Sequence, residues 1–168
     1  MRSRTSARAA AETLAAERGH APERMLVKPT IGNLLLWRSL YVADDVVHFY
    51  GIRVGATGSA RVYEGDSAPL FEPADPLEWA PPGSLARRDV ARFAAFSAHL
   101  LTRDPRDPSR LGDARYAMLP TSLEPLWMLA PGGPGGRARF VTERRLDTPA
   151  RERFVDMLLG RATDGRNL

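Results

Sequence analysis

Apolar positions along this chain recur at two spacings. Over residues 4–18 the spacing is helical: Ala7, Ala10, Ala11 and Leu14 share one face, Gly19 follows as a stop and Pro22 lies beyond it. That face is thin and made mostly of methyl groups, so the helix it predicts needs a sheet to pack on or a continuation upstream. From Arg24 the spacing changes. Met25 to Val27, Leu34 to Ala43 and Val46 to Val54 are rich in β-branched and aromatic residues and read as strands, with Asp44 and Asp45 as the turn between the last two. A two-residue loop there pairs Ala43 with Val46 and Tyr41 with His48, which sets His48 beside an aromatic ring on one face of the sheet.

Residues 55–83 hold four glycines (Gly55, Gly58, Gly65, Gly83) and five prolines (Pro69, Pro73, Pro76, Pro81, Pro82), a density that excludes regular helix. The hairpin strand is predicted to continue through Tyr63 and then give way to a long surface loop. Ser84 is the N-cap of a helix predicted from Leu85 to Thr102, with Ala86, Val90, Phe93, Ser97 and Leu100 at helical spacing and Phe96 and Leu101 widening the stripe. The proline-bearing run from Arg103 to Ser109 ends it. Strands are predicted over Asp113 to Leu119, Leu123 to Ala130 and Arg137 to Leu146. The glycine-rich segment Pro131 to Gly136 joins the last two as a loop, because no helix begins there to aim its N-terminus at an anion. Thr148 as N-cap and Pro149 at the first turn open a last helix that buries Phe154, Val155, Leu158 and Leu159 and stops at Gly160.

The expected fold is therefore α+β, an antiparallel β-sheet of five to six strands with helices packed on one face. Trp37, Phe49, Phe93 and Leu158 are expected to share its core. Residues 1–160 read as a single domain and residues 161–168 as a polar tail.

Composition narrows the chemistry. The 168 residues are 43% apolar, enough for one core without staples. No cysteine is present, which removes disulfides, thiolate nucleophiles and cysteine zinc sites together. The basic residues are 23 arginines and the single Lys28, and the net charge is +4. Acidic residues are interspersed with the arginines almost everywhere, so no nucleic-acid partner is expected. No stretch reaches the apolar length that a bilayer span needs, and the alanine-rich segment is broken by Glu12, Glu17 and Arg18; the sequence reads as soluble.

His48, His99, Asp44, Asp45, Asp113 and Glu124 are the polar groups to weigh for catalysis or metal binding. The three histidines form no ligand pair at helical or strand spacing, and Asp44 and Asp45 are explained by turn chemistry. No metal site and no cofactor is expected in this chain. Arg38 follows Trp37 in a strand, so the two point to opposite faces. Asp113 and Arg115 share a face if they lie in a strand, either as a structural ion pair or, with Arg38, as holders of an anionic ligand.

Across Pro29-Thr30, Asn33, Trp37-Arg38, Tyr50-Gly51, Phe93 with Phe96, and Asp113-Ala114-Arg115-Tyr116, the chain resembles the soluble C-terminal portion of a bacterial inner-membrane family, the membrane-bound metal-dependent hydrolases of YdjM-like type. The resemblance covers most of residues 8–130. It implies a cytoplasmic domain, or one on the cytoplasmic face of the inner membrane, whose partner is a membrane-embedded segment of the same or another protein. In that family the membrane portion precedes the soluble one and carries the His-Arg and His-Ser type motif where a divalent metal would act. These residues contain neither. The implied role is docking, regulation or substrate presentation. The alternatives are a hydrolase site drawn from Asp113, Arg115, His48 and His99, or a module that binds a small anion through Arg38 or Arg115.

Overall fold

A computed structural model describes residues 2–30, 32–144 and 146–163. Helix α1 spans Arg2–Glu17 and is followed by strands β1 (Arg24–Pro29), β2 (Leu36–Ala43), β3 (Val46–Val54) and β4 (Ala60–Pro69). Helix α2 (Leu85–Phe96) leads into β5 (Leu101–Asp104), β6 (Asp107–Asp113), β7 (Trp127–Ala130) and β8 (Arg139–Thr142), and α3 (Thr148–Leu159) closes the order. The fold is α+β and antiparallel, as expected. The strands nevertheless form two four-stranded sheets, β1-β2-β3-β4 and β5-β6-β7-β8, rather than one sheet of five to six. The chain divides into two compact units: α1 to Ser67 with Leu119–Ser122 and α3, and Ala68–Met118 with the stretch from Leu123 through β8.

In the first unit the hairpin has the register that its two-residue loop dictates. Ala43 faces Val46 and Tyr41 faces His48, and Asp44 and Asp45 both adopt positive φ (52° and 58°), as the strand twist requires of such a turn. The segment before β2 is closed by side chains. Thr30 Oγ1 donates to Leu36 O, Asn33 Nδ2 donates to Thr30 Oγ1, and Asn33 Oδ1 accepts from the Leu35 and Leu36 amides. Helix α1 lays Ala7, Ala11 and Ala15 on the face that carries Trp37, Tyr41, Tyr50, Ile52 and Val54. Small side chains let the helix backbone approach the sheet closely, so the aromatic and branched residues of the sheet fill the space.

The opposite face of the same sheet presents Leu36, which packs with Tyr63, Leu119 and Met157 of α3. Helices thus cover both faces of this sheet, not one. Strand β2 is buried along its whole length for that reason. Helix α3 differs from its sequence reading too. Asp147, not Thr148, is the N-cap, and Met157 is the buried residue while Val155 and Leu159 are exposed. Gly65 carries no side chain because a Cβ there would run into the carbonyl oxygens of Phe49 and Thr121.

In the second unit α2 begins where Ser84 caps it, the hydroxyl accepting from the Arg87 amide at 3.0 Å. It packs Ala86, Val90, Phe93 and Ala94 against Phe71, Leu101, Leu111 and Leu129. It does not run to Thr102. Ser97 ends it, Ala98 and His99 take positive φ (52° and 54°), and the chain turns directly into β5. The run from Arg103 to Ser109, expected to end the helix, is instead the turn and flanks of the β5–β6 hairpin, held by Asp104 Oδ1 accepting from the Arg106 amide. Strand β6 ends at Asp113, where a strand was expected to begin.

The four residues expected in one core fall in separate places. Trp37 lies under α1, Phe49 pairs with Leu40 on the other face, Phe93 is in the second unit and Leu158 is half-buried in α3. Of the expected tail, residues 164–168 lie outside the described residues. No described helix is long and apolar enough to cross a membrane.

Candidate functional site

Among the residues singled out from sequence, His48 stands in the richest setting. The end of α1 is a paired turn: Gly19 N–H donates to Ala16 O and His20 N–H to Ala15 O, with Gly19 in the left-handed region. This swings His20 onto the sheet, where its ring lies 4.6 Å from that of His48. His48 stacks on Tyr41 at 5.0 Å and Tyr41 on Tyr50 at 5.7 Å, so two imidazoles and two phenols form a continuous ladder. His20 Nδ1 and the Tyr41 hydroxyl share a 2.9 Å hydrogen bond. Burial holds the Tyr41 phenol well above its usual range, and it stays protonated. Burial, then the neighbouring His20 and Arg18, push His48 below its ordinary 6.5. The ladder is a ring-stacked cluster in which burial disfavours the charged forms of His48 and Tyr41. The sequence places His20 between the helix-ending Gly19 and Pro22, beside the helix C-terminal carbonyls, but does not bring it to His48, because that contact is a tertiary placement.

The charged candidates are engaged with their own surroundings. Asp113 is fully buried and meets Arg115 through two side-chain hydrogen bonds, Nε to Oδ1 at 2.9 Å and Nη2 to Oδ2 at 2.7 Å. Arg115 also donates to Phe96 O, and its own amide donates to Asp113 Oδ1. The pair is thus a local turn clasp at the end of β6 rather than a same-face pair in a strand. Arg38 is buried, stacks over Phe49 at 4.5 Å and donates to the carbonyls of Leu119, Pro120 and Ser122. It ties that segment to the sheet. Glu124 pairs with Arg106. His99 is exposed in the turn after α2, and it and His48 belong to different units. Among the described residues no group of three or more His, Asp or Glu could hold a metal ion.

An open groove lies in the second unit where α2 fails to cover the outer part of its sheet. Phe93 and Phe96 form one wall, Leu129, Ala138 and Phe140 the other, and the volume between them is about 510 Å³. Phe96 is 59% exposed and Phe140 57%, although their neighbours are ordered aromatic contacts: Phe140 meets Phe93 edge-on at 6.2 Å and Trp127 lies 6.4 Å from Phe96. Asp89 organises the rim. Its carboxylate accepts from Arg137 Nη1 at 2.9 Å and from the Ala138 amide at 3.2 Å, with Arg92 3.5 Å away. Phe96 was legible as part of the α2 stripe. That its ring is left uncovered depends on where β8 lies, which periodicity does not report.

Comparison of the chain with known protein families, with curated proteins and with solved structures finds no match.

Proposed function

We propose that this chain is a docking domain that holds an apolar, acidic segment of a partner. The observation that carries this reading is the open aromatic groove: large exposed rings on an ordered wall, beneath a rim whose charge is mainly arginine. One further feature supports it. Arg38 and the Asp113–Arg115 pair, the groups a hydrolase or anion site would use, already have buried partners within the fold. Were the chain the soluble portion of a YdjM-like membrane-bound hydrolase, as its short motifs lead one to expect, the partner would be a membrane-embedded segment of the same or another protein at the cytoplasmic face.

Panning random displayed peptides on the full chain tests this reading. Enriched sequences should combine apolar with acidic residues and should lose retention on Phe96→Ser and Phe140→Ser chains of unchanged melting temperature. Peptides held equally by the variants, or no enrichment, would remove the groove from the function.

A further inference from the structure

The groove runs alongside β8, and β8 is an outer strand of its sheet. Its register decides which backbone groups face outward. Glu143 N–H donates to Leu126 O at 3.0 Å, and alternation along the antiparallel ladder makes Met128 with Val141 the next hydrogen-bonded pair. The intervening pairs, Leu129 with Phe140 and Trp127 with Thr142, are the non-bonded kind. The N–H and C=O of Phe140 and Thr142 therefore turn away from β7 toward the open edge. Phe140 and Thr142 are exposed, as is Arg139 between Phe140 and the turn.

From this, and resting on the docking reading above, we infer that the partner binds by β-strand addition: an extended peptide pairs with the outer edge of β8, its apolar side chains resting in the Phe93–Phe96–Phe140 groove and its acidic ones beside the arginines. Strand addition draws affinity from main-chain hydrogen bonds and specificity from alternate side chains. Both halves are present here. Phe140 points to the α2 side of the sheet, so an added residue on that side meets Phe140 and Phe96. Arg139 points to the other side, and Arg92 and Arg137 stand along the groove rim.

Charge selects among possible occupants. The one carboxylate lining the groove, Asp89, is already shared by Arg137, the Ala138 amide and Arg92. A second copy of this chain, with net charge +4, would bring arginines against arginines at an edge-to-edge pairing. A nucleic acid has the charge but no ladder of amides for Phe140 and Thr142 to pair with.

A fluorescein-labelled synthetic peptide of about eight residues alternating leucine with glutamate, the length of an ordinary strand, serves as the probe, with anisotropy read on the full chain. Saturable binding is expected, with amide exchange slowed at Phe140 and Thr142. N-methylation of alternate peptide amides should weaken binding by about tenfold or more, the loss of one or two hydrogen bonds. Phe96→Ser and Arg139→Glu should weaken it as well, each in a chain whose melting temperature matches the parent. If the N-methylated peptide binds as well as its parent while Phe96→Ser abolishes binding, strand addition is wrong and docking stands. Should the peptide ignore Phe96→Ser and Phe140→Ser alike, or fail to bind, this proposal falls, and peptide panning then decides the docking reading by itself. A dimer seen by light scattering that Phe140→Ser abolishes would assign the edge to a second copy, and displacement of the peptide by a single-stranded oligonucleotide would assign it to nucleic acid.

Discussion

At the scale of single residues, the local environment decides whether a polar group is available for chemistry. His48 has a ring neighbour on either side, His20 and Tyr41, and faces Arg18 and Asp44. Its pKa is lowered on folding, so the unfolded chain takes up a proton that the folded chain resists. Stability is then full above about the ordinary 6.5 and is lost as pH falls below it, until the folded form also protonates. The melting temperature should therefore drop as pH falls below about 6.5, and the His48→Gln chain should show a shallower drop. Equal slopes in the two proteins would mean that His48 is not the group responsible. Asp113 and Arg115 make the complementary case. Removing Arg115 strands the fully buried Asp113 carboxylate, so Arg115→Ala should cost about 3–5 kcal/mol in denaturant unfolding. The double replacement with Asp113→Ala should cost less than the sum of the two single changes. Additive losses would show that the two side chains do not depend on each other.

At the scale of elements, ends matter more than middles. Helix α1 and helix α3 both stop at a glycine in the left-handed region, Gly19 and Gly160, and both stops are readable in the sequence. Helix α2 stops without one. Its closing turn has the same hydrogen bonds, Ala98 N–H to Ala95 O and His99 N–H to Ala94 O, but an alanine occupies the left-handed position. A Cβ in that conformation costs about 1–2 kcal/mol. Ala98→Gly should accordingly raise stability, by roughly 0.5–1 kcal/mol after the larger unfolded-state entropy of glycine is subtracted. Thermal unfolding of that variant checks it, and a lowered melting temperature would mean that the alanine methyl makes a contact worth more than the strain. The same position explains why the helix was expected to reach Thr102: nothing in the sequence marks the stop, because the stop is imposed by Leu101 joining β5.

At the scale of the whole molecule, the arginines divide by surroundings. Arg38 is buried, Arg115 is half-buried, and both hold the fold together, while Arg92, Arg137 and Arg139 stand along an open groove and edge. On the docking reading, Arg92 and Arg137 at the rim and Arg139 on the edge strand would favour an acidic partner. If the docking reading is right, a panel of ester and phosphate substrates should give no turnover. Reproducible turnover that Asp113→Asn abolishes at unchanged melting temperature would restore the hydrolase alternative, because a merely structural pair would lose stability along with activity.

The sequence by itself determined the α+β class, the hairpin register around Asp44 and Asp45, the Ser84 cap and the glycine stops, since each depends on neighbours within a few residues. The tertiary structure decided the rest. Two sheets replace one because the segment from residue 70 to 83 and α2 separate the strand groups, and the Arg103 to Ser109 run, with prolines that argue against regular pairing, still closes a hairpin. His20 meets His48, and Phe96 stays uncovered beside Phe140, only because distant segments come to lie where they do. Periodicity says which residues share a face of one element. It carries no information about which other element covers that face, and the candidate groove is a face left partly uncovered.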